Sequence, residues 1–511
     1  MRLLILFILL LYNCTVNGQG FKTRYKMPFG TNAITKAIFE TSQGQYLGFG
    51  YCEDTLNGKF LGEIVTMGLN ANGNVNWIKK YGGQKLLYLN NTFTTRSIVK
   101  KGNNFFYAGC IRDTANKQIG VLIKFDMNGD TLWQKIFKDQ LQDVIPQFVN
   151  TSADGGLLIT GFFQNGGVQT MLIKTDSYGN ELWRKKINKP SPDISDGKAI
   201  IQDSVSKKIV IVGFQQVISD THDNIIVLDS LGNKLDQTFY TNIGGILYDV
   251  IQTRDKKFIA IGYQYFFKKI NGSNALLMRS FALKFSIDSI NKPIWKYNGF
   301  DTLEFNNAFD CIRECSNGDI IIGGGIDTSQ LRNLNTNILT RITILDKNGN
   351  LKSNRYYDYK TNGLGADNNQ TMNSLELTSD GGYIAAITQA NLPNPNPLFF
   401  VKYDSSGCDS TAAHCATLNM VGINELKTKD VEIKVYPNPA KTGVYISCIS
   451  SNIDVIDISI TDVLGRNVYK SKMPANQLNY ISLDNLNSGL YIIKGTYKNS
   501  TIANFKIIKQ E

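Results

Sequence analysis

Histidine is almost missing from this chain: there are two in 511 residues, His222 and His414. No Ser-His-Asp set can be drawn from alternatives, and the sequence holds no HExxH, no phosphate loop and no CxxC. His222 stands near Asp220 and Asp223, but one imidazole with two carboxylates is a weak metal set. A solvated loop is the expected setting, and no metal or cofactor is called for. Past the first 18 residues no apolar run is long enough to span a bilayer. Charged residues make up 19% of the chain and hydrophobic ones 42%, a balance that excludes disorder as the default. The net charge is +11, yet the cations recur beside a repeated tryptophan (Lys79, Lys135, Arg184, Lys296) instead of clustering. That pattern points to a solvated outer strand and away from nucleic acid.

Tryptophan is also scarce, and its four copies share one repeated position. In Met171–Trp183 an alternating apolar run leads to Asp176, a turn closes at Gly179, and Trp183 follows. Asp126, Gly129 and Trp133 repeat this register, as do Asn72, Gly73 and Trp77, while Asp288 and Trp295 keep it without the glycine. Asp229–Gly232, Asp346–Gly349 and Asp404–Gly407 keep the turn without the tryptophan. Counted from Asn70 through Asp126, Asp176, Asp229, Asp288 and Asp346 to Asp404, the spacings are 56, 50, 53, 59, 58 and 58 residues. Each unit holds four short runs in period-two alternation, as in Phe148–Thr151, Leu157–Phe162, Met171–Thr175 and Glu181–Ile187. Units of that size predict an all-β, seven-bladed β-propeller over residues 19–407. Glycines in the second strand (Gly161, Gly213, Gly262) suit close approach between neighbouring sheets. Insertions at Phe266–Asn274 and Asp327–Asn337 should project from one rim.

The seventh unit has no fourth strand after Gly407, and the segment near the N-terminus has no unit of its own. Phe21–Met27 is therefore expected to pair antiparallel with Phe399–Tyr403 and close the ring. In the central channel Asp310, Glu304 and Glu376 could meet as catalytic carboxylates. Three or more acidic or arginine side chains converging at the mouth would favour a carbohydrate-active enzyme; without them a binding protein is the better reading, and no catalytic residue is assigned. Cys408 and Cys415 can close a small loop by a disulfide. Cys311 and Cys315, four apart on a strand, are too far apart to bridge each other directly. The pairing of Cys52, Cys110 and Cys448 is open.

The repeated Asp-Gly-Trp pattern resembles the tryptophan-docking motif of quinoprotein propellers and, more loosely, the Asp-box of sialidase propellers. The Asp-to-Gly distance matches neither, so the resemblance implies propeller geometry and not an activity. Arg2, the apolar core Leu3–Leu11 and Val16-Asn17-Gly18 read as a signal peptide over residues 1–18. Cys14 follows the bulky Tyr12 and Asn13, which makes a poor lipidation site. A linker over 408–430 precedes a change of composition. Residues 431–511 read as a small Ig-like β-sandwich of about seven strands. They carry Tyr436-Pro437-Asn438-Pro439, then Asp462 with Gly465-Arg466, then Gly489 and Tyr491, then Lys506 in a last basic strand. In that order these motifs resemble the type A C-terminal sorting domain of the type IX secretion system of Bacteroidota. The resemblance implies partners in the secretion machinery, passage through the periplasm and across the outer membrane, and removal of the tail by a sortase-like protease. It further implies release or attachment to lipopolysaccharide at the surface. It leaves the surface ligand, glycan or protein, unspecified.

Overall fold

The computed structural model describes residues 20–510 apart from short stretches, the longest being 90–95, 188–193, 300–306, 328–337, 360–368 and 410–430. Among the described residues every regular element is a β-strand. The leader, the second insertion beyond Asp327 and most of the linker lie outside them. The chain divides into two compact units, Met1–Asn419 and Met420–Glu511.

The first unit is a series of antiparallel meanders. Ala33–Ser42, Gln45–Leu56, Lys59–Leu69 and Val75–Tyr81 pair in chain order to make the first. The second has its first strand in two pieces, Leu87–Leu89 and Ile98–Lys101, and ends at Thr131–Phe137. The third runs from Asp143–Thr151 to Glu181–Lys186, the fourth from Ile194–Gln202 to Lys234–Thr238, and the fifth from Gly245–Gln252 to Trp295–Asn298. The sixth, Asn307–Glu314 to Leu351–Tyr357, touches the seventh through one parallel pair, Ile338 with Asn369. Burial falls from the inside outward. The third strand Val168–Thr175 is buried on both faces, whereas the fourth, Glu181–Lys186, is largely exposed. That explains the near-continuous apolar runs of the inner strands and the basic outer ones. Buried side chains interleave between meanders: Phe148, Leu158 and Leu172 pack with Ile200, Ile211 and Ile226.

The seventh meander takes its fourth strand from the other end of the chain. Phe21–Tyr25 pairs antiparallel with Leu398–Tyr403, with Phe21 opposite Lys402, Thr23 opposite Phe400 and Tyr25 opposite Leu398. This is the pairing expected from the sequence. Arg24 fastens it by donating to the Gln389 side chain (2.9 Å) and the Tyr359 carbonyl (2.7 Å), with its guanidinium 4.2 Å from the Phe399 ring centre. The first insertion is not a loose loop. It continues the hairpin as two long strands, Phe258–Ile270 and Ser273–Phe285, paired along their whole length.

The second unit holds seven strands in two sheets. Val431–Tyr436, Gly443–Ser450 and Leu478–Ser482 form one, and the other has the order Asn467–Pro474, Val455–Asp462, Gly489–Tyr497, Ser500–Lys509. Val444, Ile446, Ile458, Ile460, Ile493 and Ile507 form its separate core.

Candidate functional site

The repeated aspartate builds a turn with its own side chain. The Asp126 carboxylate accepts from the N–H groups of Asn128 (2.8 Å) and Asp130 (2.9 Å), and Gly129 N–H donates to the Asp126 carbonyl (3.1 Å). Asp176 does the same with Tyr178, Asn180 and Gly179. The Asn180 contacts hold the Asp176 carboxyl below its usual range. Gly129 and Gly179 have φ of 72° and 80°, the left-handed region that favours glycine.

A side chain at those glycines would also strike a tryptophan. Trp77 covers Gly129, Trp133 covers Gly179, Trp183 covers Gly232, and Trp295 covers Gly349. In every case the indole comes from the preceding meander, so the repeat joins neighbouring sheets. The basic residues expected to be merely solvated follow suit: Lys79 reaches Asp130 (2.6 Å) and Lys135 reaches Asn180 (2.9 Å) across the same junctions. At two junctions other aromatics stand in. Tyr357 donates to the Gly407 carbonyl (2.7 Å), and Phe21 of the N-terminal strand lies on Gly73.

The first strands carry a second repeated device. Six of them break register by one residue, and the extra residues are Lys36, Gln147, Lys198, Tyr248, Asp310 and Asn373. Opposite four of these bulges sits the second-strand glycine. A Cβ at Gly161, Gly213, Gly262 or Gly324 would meet the carbonyl of Ile145, Asp196, Ile246 or Ala308 respectively. These glycines therefore make room for a bulge within their own sheet, and not for a neighbouring sheet as expected. Approach between sheets does occur in the first meander, where Gly48 and Gly50 face Phe400 and Leu398. Bulge residues of successive meanders meet: Lys198 bonds Asp196 (2.6 Å) and reaches Gln147 (3.2 Å), and Asn373 donates to the Thr35 carbonyl (2.5 Å). Burial pushes the Asp310 carboxyl up to about 7, against the pull of Arg341, and pushes Lys36 down to about 7.

Further along the same strands lies a cavity of about 370 Å³, lined by Glu40, Arg96, Phe148, Asn150, Arg313 and Glu376 among others. Its two arginines are held by carboxylates, while the Glu40 carboxylate accepts from Ser379 and Lys100 donates to the Glu40 carbonyl. Arg96 contacts Asp249 (2.9 Å) and donates to the Ile312 carbonyl (2.8 Å), and Arg313 grips both oxygens of Glu376. Asp249 also accepts from the N–H groups of Val250 (2.7 Å) and Ile312 (3.1 Å). Of the three carboxylates named from sequence, Glu376 is at this cavity, Asp310 is on the bulge belt instead, and Glu304 lies outside the described residues. Arg96, Asp249 and Arg313 were missed. The only trace of Asp249 and Arg313 in the sequence is polarity inside otherwise apolar first strands, and Arg96 precedes the strand Ile98–Lys101 with no pattern to mark it.

His222 is in the strand Asp220–Leu228 and not in a loop, with its ring 5.7 Å from Phe239. Asp223 accepts from the Tyr240 N–H at 3.1 Å. Cys311, Cys315 and Cys448 are free thiols, the Cys52 and Cys110 thiols lie against the Glu63 and Gln118 side chains (3.7 Å each), and Cys408 is buried and disulfide-bonded. Cys415 lies outside the described residues.

In the second unit the motif residues tie strand ends together. The Asn438 side chain, between Pro437 and Pro439, donates to the Lys506 carbonyl (2.7 Å) and accepts from Ile508 N–H (2.9 Å). Asp462 accepts from Arg466 N–H (2.9 Å) and from its guanidinium (2.7 Å); Gly465 lies outside the described residues. Asp462 sits opposite Tyr491, whose hydroxyl donates to the Asn487 carbonyl (2.8 Å), and Gly489 sits opposite Lys509. Tyr436 pairs with Tyr445 and both rings are exposed, as is Lys506.

Residues 434–510 match the family model for the secretion system C-terminal sorting domain. They are a type IX sorting domain. A sorting domain implies secretion by the type IX system, interaction with its machinery, and delivery to the medium or the cell surface. The chain is also 34% identical over 76 residues to ulvan lyase NLR42 of Nonlabens ulvanivorans, a match that covers 15% of this chain and 14% of that protein. Among solved structures, Drosophila Semaphorin 2a aligns over 97% of this chain and 98% of its own, with 9% identity and a TM-score of 0.42. A DUF4221 protein from Bacteroides vulgatus aligns over 76% of this chain and 98% of its own, with 11% identity and a TM-score of 0.31. A Dyadobacter fermentans protein of unknown function aligns over 62% of this chain and 97% of its own, with 10% identity and a TM-score of 0.37. Scores of this size do not transfer a fold or a function.

Proposed function

We propose that the meanders are the blades of one closed seven-bladed propeller, and that the protein is an exported binding protein presenting its rim to a surface or extracellular ligand. The contacts that join each sheet to the next, including Phe21 on Gly73, support the closed ring. The second unit, two facing sheets over one core, suits an Ig-like sandwich that is removed after export by a sortase-like protease. Release and attachment to lipopolysaccharide are both compatible with such processing. A disulfide between Cys408 and Cys415 would mark the end of the ring.

The observation that carries the binding reading is a contrast. The two arginines of the cavity are held by carboxylates, while the long fifth-blade hairpin projects Phe267 (60% exposed) and Leu276 (51%) toward solvent. Beside them the Arg279 guanidinium lies 5.2 Å from the Phe266 ring centre. Exposed aromatics beside an arginine are typical of contact residues. A second reading, a carbohydrate-active enzyme, is favoured by the convergence of Arg96, Arg313 and Glu376 at one cavity, with Asp249 buried behind the two arginines.

Probing the mature protein on a combined glycan and protein array separates the two. The binding reading predicts a ligand retained without turnover and weakened at least about tenfold, or about 1.4 kcal/mol, by Phe267→Ser with Leu276→Ser. Cleavage of an arrayed glycan that Glu376→Gln abolishes would establish the enzyme instead.

A further inference from the structure

We propose that the belt of bulge residues is a binding site for a neutral, hydroxyl-rich ligand of the saccharide class. It rests on the closed ring and the binding reading, and adds a second contact region, at the hub, to the projecting hairpin. The belt is built, because the same one-residue bulge recurs in six first strands and in four of them is made possible by a glycine opposite. A bulge re-aims the side chain it carries, and recurrent bulges of that kind accompany functional positions.

The chemistry of the aimed groups is mixed. Of the belt residues Lys36, Lys198 and Asn373 are donors, Gln147 and Asp310 carry acceptors and Tyr248 can do either, and Asp196, two residues before Lys198, accepts from it. Neither sign of charge prevails, which disfavours a phosphate, a metal ion or a polycation. Closely spaced donors and acceptors suit a ligand whose hydroxyls do both at once. Two further observations point to an occupant. Asp196 is 5% exposed, and its Oδ1 has no hydrogen-bond partner among the described residues, although Lys198 holds its other oxygen. An acceptor left so is satisfied by a ligand hydroxyl or a water at little cost. Next to it, Tyr248, Tyr263 and Tyr265 form an aromatic run, with ring centres 5.8 and 5.3 Å apart. The run leads along the fifth-blade strand to Phe266 and Phe267, so a sugar chain seated at the hub can lie against its C–H faces. Asp310, poised near neutrality, gives the belt a pH dependence: its carboxyl can donate below neutral pH and only accept above it.

The test is saturation-transfer NMR on the mature protein with cellotriose, laminaritriose, xylotriose, mannotriose and chitotriose, and with trigalacturonate as the anionic control. At least one neutral trisaccharide should show transfer with a Kd below about 1 mM. Asp196→Asn and Tyr248→Phe should each raise that Kd tenfold or more while near-ultraviolet circular dichroism stays unchanged. Tyr248→Phe removes only a hydroxyl from a half-buried ring, so it serves if Asp196→Asn folds poorly. No transfer from any neutral sugar, transfer from trigalacturonate alone, or unaltered Kd values in a folded variant would overturn the proposal. A protein ligand found on the array together with silence here would leave the binding reading standing and remove this one.

Discussion

A mature chain that begins at residue 30 should melt about 5 °C or more below one that begins at residue 19. The missing segment contains the fourth strand of the seventh meander, and its loss acts at three places. The strand Leu398–Tyr403 loses its hydrogen-bonded neighbour and becomes an open edge. Phe21 and Met27, both buried, leave a groove over Gly73 and the first blade. Arg24 no longer holds the Tyr359 carbonyl and Gln389. Two large apolar side chains at about 1.5–3 kcal/mol each, with the lost strand and arginine bonds, come to roughly 5 kcal/mol or more. In a unit of nearly 400 residues, at about 2 cal/mol/K of unfolding entropy per residue, each kcal/mol moves the midpoint by about 1 °C. Calorimetry on the two forms checks it, and equal midpoints would mean that the N-terminal strand adds nothing to the stability of the sheet it joins.

The second large effect is expected at a set of lysines that no pattern in the sequence singles out. Lys402 is 1% exposed, and its ammonium contacts Asp380 (2.8 Å) and the Tyr403 carbonyl (2.8 Å). Lys174 with Asp154 (2.8 Å) and Lys284 with Asp255 (2.7 Å) repeat the arrangement, each joining an inner strand to the hairpin turn between strands one and two. Asp380→Ala would strand a buried ammonium and should cost about 3 kcal/mol, most of it recovered by adding Lys402→Met. Urea unfolding of the two variants measures both numbers. The same pairs set an acid limit. Burial works to raise these carboxyls, but the lysine and turn hydrogen bonds outweigh it, bringing Asp154 down to about 2 and lowering Asp255 and Asp380. A carboxyl depressed in the folded state contributes fully above its unfolded value of about 3.9. That contribution fades as pH falls through the folded values. Wild-type stability should therefore drop between about pH 4 and pH 2, and the drop should be smaller in Asp380→Ala.

The parts of this account that were legible in the sequence are those written as local patterns. The Asp126 and Asp176 turns, the strands around them and the Tyr436–Pro439 motif announce themselves through spacing and turn chemistry. Even the pairing of Phe21–Tyr25 with Leu398–Tyr403 could be found, because the seventh repeat lacked a strand and the N-terminus had one to spare. Partnership across sheets was not legible. Nothing near Trp133 shows that its ring rests on Gly179 of the next meander, and Gly161 looks the same whether it yields to a neighbouring sheet or to the bulge at Gln147. The hub was read least well. Arg96, Asp249 and Glu376 come from meanders more than a hundred residues apart in sequence, and only the closed tertiary arrangement brings them together. Glu376 was named because it is acidic, and Arg313, which holds it, was not.

The claim that organises all of this is that the protein is addressed by its last eighty or so residues and works outside the cell with the rest. The most direct measurement is fractionation of a host with a type IX system that expresses the full chain or a chain ending before Val431. The two compact units have separate cores, so the shortened protein is expected to keep the fold of its first unit. The account predicts protease-accessible or released protein from the full chain, and folded protein confined to the periplasm from the shortened one. Shortened protein found at the surface or in the medium, in the same proportion as the full chain, would contradict it.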